Sequence, residues 1–167
     1  MGSKVSLKIK LISVIFLSLF LLGMEPAPPL VGSPAPLFEL KTLDNQTVKL
    51  TDYKGQFIVL NFWATWCAPC IKEMPELQNA YRSLKDNNVK VIGVNFAESK
   101  TKVDHFIKDH GLNFPVLLDN LGNVAQDYEV LNLPITYFIT PDGFVRDKIF
   151  GGGITQKIID EKIKQLS

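Results

Sequence analysis

The sequence predicts an α/β fold, a mixed central β-sheet with helices on both faces. Three observations carry that expectation. Two near-continuous apolar runs, "FIVLNFW" (57–63) and "VKVIGVNF" (89–96), have the make-up of strands buried on both faces of a sheet. A segment of helical periodicity follows each, the pattern of strands joined by crossover helices. Late in the chain, "ITYFIT" (135–140), the turn "PDG" and "FVRDKIF" read as an antiparallel hairpin, which makes the sheet mixed.

The remaining elements follow in order. "LFEL" and "TVKL", joined across "DNQ", predict an N-terminal hairpin. From Cys67 to about Leu84 the apolar residues Ile71, Met74, Leu77, Tyr81 and Leu84 recur at helical spacing, so a helix is expected there, kinked at Pro75. An amphipathic helix is expected near residues 101–110, a strand in "FPVLLD" and a short helix around 124–128. "ITQKIIDEKIKQL" closes the chain as a helix.

The chain's 167 residues suit one domain with a real core rather than two. With 18 Lys+Arg against 17 Asp+Glu the formal charge is +1, which argues against nucleic acid as a partner. The N-terminus is a different kind of sequence. Lys4, Lys8 and Lys10 precede an uncharged apolar run from Leu11 to Met24, the composition of a secretory signal or signal anchor. As a helix that run would span roughly 21 Å against a hydrocarbon core of about 30 Å, so spanning requires Val5, Leu7 and Ile9 to enter while the lysines snorkel. We expect residues 1–24 to be an uncleaved anchor, with a cleaved signal as the alternative. The lysines then keep the N-terminus in the cytoplasm and the domain outside. "EPAPPLVG" (25–32) reads as a Pro-rich linker and 33–167 as the folded domain.

Both cysteines lie in "NFWATWCAPC" (61–70), between the C-terminal end of a buried strand and the start of a helix. Open α/β sheets place their sites at that edge. A helix N-terminus favours a thiolate through its unpaired N–H groups and dipole, so Cys67 is the candidate attacking sulfur. Cys70, one turn further in, is spaced to resolve a mixed disulfide. Pro69 falls in the first turn, where its missing N–H costs little.

A purely structural disulfide is a poor alternative, because a loop this short constrains little of the unfolded chain. Zinc is another: His105 and His110 in "HFIKDH" could complete a Cys₂His₂ set. About 34 residues separate Cys70 from His105, against about 12 to 15 in that motif, so no metal site is expected. Glu73 lies one turn beyond Cys70. It reads either as a carboxylate desolvated by Trp66 and the core, able to exchange a proton with Cys70, or as an ordinary solvated helix glutamate like Glu76.

"FWATWCAPC" after an apolar strand, with "NLPITYFI" downstream, resembles the thioredoxin superfamily. Together with "GSPAPLFELKTLDNQTVKLTDYKGQFIVLNF", "VNFAESK", "NFPVLLD" and "PDG", the resemblance is to the membrane-anchored TlpA/ResA-like thiol–disulfide oxidoreductases, over roughly residues 32–166. It implies a thioredoxin-like fold: a mixed central β-sheet flanked by helices, with an N-terminal β-hairpin and a central αβ insertion.

The resemblance also implies roles. Pro134, after Leu133, matches the family's cis-proline, which packs beside the disulfide and offers backbone to an extended substrate. Asn61 stands where ordinary thioredoxins carry a buried Asp. In ResA-like proteins a glutamate three residues after the second cysteine takes over, and here that is Glu73. Trp63 and Trp66 match the aromatic frame, Trp63 packing in the core and Trp66 facing partners.

The implied activity is extracytoplasmic exchange of a Cys67–Cys70 dithiol/disulfide with protein substrates, with no cofactor beyond that redox-active disulfide. The implied clients include apocytochrome c, and the implied electron source is a membrane protein of the CcdA/DsbD type; a monomer is expected. Ala68 and Pro69 are neutral and supply no charge to the thiolate. This favours a reductant, nearer about −270 mV than about −120 mV. Two alternatives have a cost. A peroxiredoxin-type peroxidase would need Pro and Thr where Leu60 and Ala64 stand, and a copper chaperone of this fold would use a wider cysteine spacing.

Overall fold

A computed structural model describes residues 30–84 and 87–167. The expected anchor and most of the linker lie outside the described residues. Among those that are described, no helix is long and apolar enough to cross a membrane.

Seven strands form one sheet: β1 (Glu39–Thr42), β2 (Thr47–Lys49), β3 (Phe57–Trp63), β4 (Val89–Phe96), β5 (Val116–Asp119), β6 (Ile135–Ile139) and β7 (Val145–Phe150). Among the described residues four α-helices accompany them: α1 (Ala68–Leu84), α2 (Lys100–Asp109), α3 (Asn123–Asp127) and α4 (Gln156–Leu166). The sheet order is β2-β1-β5-β4-β3-β6-β7. β3, β4 and β5 run parallel, while β1, β6 and β7 pair antiparallel with their neighbours. The result is the mixed, thioredoxin-like sheet that the sequence predicts.

The two cores follow from the alternation along β3. Phe57, Val59 and Trp63 face α1, α2 and α4, packing with Met74, Leu77, Phe106 and Ile159. Ile58, Leu60 and Phe62 face the other way, onto α3 and the N-terminal segment, where Phe62, Tyr128 and Tyr137 stack edge to face or tilted. Every residue of β3 is buried, as its continuous apolar run implies. Asn61 is the single polar side chain in that strand and lies on the α1 face, so it must find a hydrogen-bond partner there.

Element boundaries depart from expectation in a few places. The hairpin forms with Leu40 opposite Val48, but its first strand starts at Glu39. Phe38 precedes it as a buried core residue, and Leu50 opens a 3-10 turn instead of extending the second strand. The chain also meets the fold before Ser33: Leu30 is buried, and the Gly32 N–H donates to the Val145 carbonyl at 2.7 Å. α2 begins at Lys100, one residue early, because Ser99 caps it by accepting from the Lys102 N–H.

Candidate active site

β3 ends at Trp63, and α1 begins after four intervening residues. Cys67 stands at the junction. Its carbonyl accepts the first helical bond, from the Ile71 N–H at 3.1 Å, and its own N–H donates to the Ala64 carbonyl at 3.2 Å. Cys67 is thus the N-cap of α1, and its Sγ accepts the Cys70 N–H at 3.2 Å, the position a capping oxygen usually takes. That donor and the helix dipole both stabilise negative charge on this sulfur when it is a thiolate. Cys67 and Cys70 are joined in a disulfide with S–S 2.05 Å. Cys67 is 4% exposed and Cys70 fully buried, so only the first sulfur is within a partner's reach.

Ala68 and Pro69 are exposed on the first turn. The loop after β7 approaches them so closely that a Cβ on Gly152 would lie 2.9 Å from Pro69 Cβ and 3.0 Å from its carbonyl oxygen. Position 152 is therefore held to glycine by space. Sequence reasoning did not identify this contact, since nothing in "GGG" says which glycine meets the active-site turn.

Glu73 lies beneath the cysteines and is 2% exposed. Its Oε1 accepts the Asn61 Nδ2 at 2.7 Å, and the same Nδ2 reaches Thr136 Oγ1 at 3.0 Å. Burial pushes the Glu73 carboxyl up to about 7, against the opposing pull of the Asn61 donor. The solvated-glutamate alternative is excluded by this burial. The covering comes from the sheet, however, and not from Trp66, which turns outward and is 62% exposed.

The Leu133–Pro134 peptide is cis. β6 begins directly after it, with Ile135 opposite Phe62, so Pro134 sits level with the end of β3 from which the cysteine loop departs. Pro134 is buried and its carbonyl accepts the Gly151 N–H at 2.9 Å. Half-buried Leu133 packs against both cores. Leu133 also lines a groove of about 270 Å³ with Trp66, Phe96, Val130, Leu131 and Asn132. A larger groove of about 370 Å³, around Leu37, Tyr53 and Pro141, lies at the far end of β3 from the cysteines and has no part in their chemistry.

A carboxylate that periodicity did not single out secures the loop. Glu98, 8% exposed, accepts from the Thr65 N–H at 2.7 Å, the Thr65 hydroxyl at 2.6 Å and the Asn95 Nδ2 at 2.9 Å, and pairs with Lys102 Nζ at 2.7 Å. Burial pushes its carboxyl up, but donation from Lys102, Thr65 and Asn95 outweighs this and holds it below the usual carboxylate range. Ala97 takes a left-handed φ of 54° to turn Glu98 inward, a strained conformation for a residue with a Cβ. Glu98 thereby ties the segment before Trp66 to the end of β4.

His105 and His110 are exposed on and just after α2, His110 stacked on Phe106, and neither approaches the cysteines. Among the described residues, no group of three or more His, Cys, Asp and Glu could hold a metal ion.

The sequence profile of the AhpC/TSA family matches residues 31–148. The thiol-disulfide oxidoreductase ResA of Bacillus subtilis is 42% identical over 130 residues, which covers 78% of this chain and 72% of that protein. Among solved structures, StoA from Bacillus subtilis superposes with a TM-score of 0.68 at 29% identity, over 80% of this chain and 98% of that one. The pneumococcal exposed lipoprotein thioredoxin of Streptococcus pneumoniae gives 0.68 at 29%, over 78% and 99%. A dithiol/disulfide pair capping a helix at the C-terminal edge of a mixed sheet, in a chain so similar to these proteins, has one consistent reading: it belongs to the AhpC/TSA family and, within it, to the ResA-like thiol-disulfide oxidoreductases.

Proposed function

We propose that this oxidoreductase works outside the cytoplasm, held by its N-terminal segment, and reduces disulfides in exported proteins. The observation that carries the proposal is the unequal placement of the two sulfurs, Cys67 slightly exposed at the helix cap and Cys70 fully buried behind it with Glu73 one turn on.

In the reductive direction the Cys67 thiolate attacks one sulfur of the partner's disulfide. That S–S bond breaks, a mixed disulfide forms, and the partner's departing thiolate takes up a proton. Cys70 then gives its proton to the Glu73 carboxylate and attacks Cys67 Sγ, releasing the partner's second thiolate. The proton passes on to that thiolate. The partner gains two electrons and two protons, and Cys67–Cys70 becomes the disulfide. An electron donor on the membrane, of the CcdA/DsbD type, must restore the dithiol.

The groove lined by Trp66 and Leu133, next to Pro134, suits an extended segment of the partner: its walls are mostly apolar, with Asn132 as a polar group. Trp66 and Leu131, 62% and 88% exposed, offer the apolar anchors that short-lived docking uses. Apocytochrome c, which must present reduced CxxCH thiols, is the client we propose. The neutral Ala68-Pro69 pair supports the reductive direction, since neither residue between the cysteines brings a cation to the thiolate.

A disulfide-bonded CxxCH peptide mixed with one equivalent of pre-reduced full-length protein tests the proposal. Thiol quantification is expected to show reduced peptide and oxidised protein. If instead the dithiol peptide becomes oxidised by the disulfide form of the protein, the direction is wrong.

A further inference from the structure

We propose that Asn61 is a positioning residue for Glu73: its amide holds the carboxyl group at Cys70 and can reverse the hydrogen bond as that group takes up and releases a proton. The inference rests on the reading that Glu73 exchanges a proton with Cys70.

Asn61 is fully buried in the middle of an apolar strand, where a polar side chain must have a purpose. Its Nδ2 serves two acceptors on two elements, Glu73 Oε1 of α1 and Thr136 Oγ1 of β6. Two oxygens in the same cluster, Asn61 Oδ1 and Glu73 Oε2, are buried with no hydrogen-bond partner among the described residues. Both are acceptors, so the cluster has room for one more proton.

A proton on Glu73 supplies it. Asn61, turned about its terminal bond, then presents Oδ1 to the carboxylic O–H, and the Thr136 hydroxyl rotates to donate where it had accepted. Amide and hydroxyl both carry donor and acceptor capacity, so Glu73 keeps a partner in either state. Asp at position 61 would offer the ionised carboxylate no donor, and an apolar residue would offer it nothing. Among the described residues no cation or second carboxylate pairs with Glu73. The side chains of its hydrogen-bonded cluster are Asn61 from β3 and Thr136 behind it on β6, and Cys70 precedes it by one turn on α1. Control of its proton therefore falls to Asn61.

Two measurements on the full-length oxidised protein test the inference. In Asn61→Leu, which keeps the branching and heavy-atom count and removes the donor, the Glu73 carboxyl ¹³C titration is expected to move upward by about one unit. In the unmutated protein, where folding is not in question, the Asn61 side-chain amide resonances are expected to shift with the same midpoint as Glu73. A Glu73 midpoint unmoved in Asn61→Leu, or amide resonances flat across that range, would overturn the proposal. An unaltered exchange rate in Glu73→Gln, with the titrations still coupled, would instead sink the catalytic reading of Glu73 and leave Asn61 a structural partner.

Discussion

In Cys70→Ser, exchange is expected to stop at the mixed disulfide, with Cys67 covalently bound to the partner and turnover reduced to background. The reason is geometric. Cys67 holds the helix cap and the only exposed edge of the pair, so it can still attack. A serine one turn inside cannot displace the partner's sulfur. Cys67→Ser should give no adduct at all, because Cys70 is fully buried. Non-reducing electrophoresis with intact-mass analysis of both variants reads the result. Adduct accumulating in Cys67→Ser and absent from Cys70→Ser would reverse the assigned roles.

Glu73→Gln is expected to slow release of the partner about 100-fold near pH 7, the usual scale for loss of a positioned general base. It should also flatten the rate's dependence on pH around 7, the value to which burial raises this carboxyl. The same residue leaves a mark on stability. The ionised form is disfavoured in the folded chain and free in the unfolded one, where the value is near 4.5. Between those two values the folded state therefore holds more protons, so stability falls as pH rises from about 4.5 to about 7. The loss from this group is at most about 3 kcal/mol, and it is complete above pH 7. Urea unfolding of the oxidised protein should show that decline in the unmutated chain and its absence in Glu73→Gln. Parallel curves for the two proteins would mean that Glu73 is not held neutral by the fold.

The long central strands were legible to the residue because nothing competes with a continuous apolar run: β3 and β4 occupy 57–63 and 89–96 as read. The cysteines' place between strand and helix followed from the same runs. Polar residues inside the fold were harder. The apolar positions of α1 locate its inner face, yet Glu73 and Gln78 are buried on that face as well, and hydrophobic periodicity cannot announce a buried carboxylate or amide. Its spacing from Cys70 raised Glu73 with two open readings, and only the family resemblance chose between them.

Asn61 did carry a signal of its own, a polar residue within a strand that must be buried on both faces, but its partners Glu73 and Thr136 lie 12 and 75 residues away. Glu98 carried none, because its loop depends on a left-handed Ala97 that no local sequence rule favours. In each case the missing information is long-range: which segments the sheet order brings to the edge where α1 begins.

The reduction potential of the Cys67–Cys70 couple, measured on the full-length protein in defined thiol buffers, tests the central claim most directly. The neutral Ala68-Pro69 turn, with one N–H and the helix dipole to stabilise the thiolate, predicts about −250 mV or lower, the range of a reductant. A value near −120 mV would make the protein a disulfide donor and contradict the account.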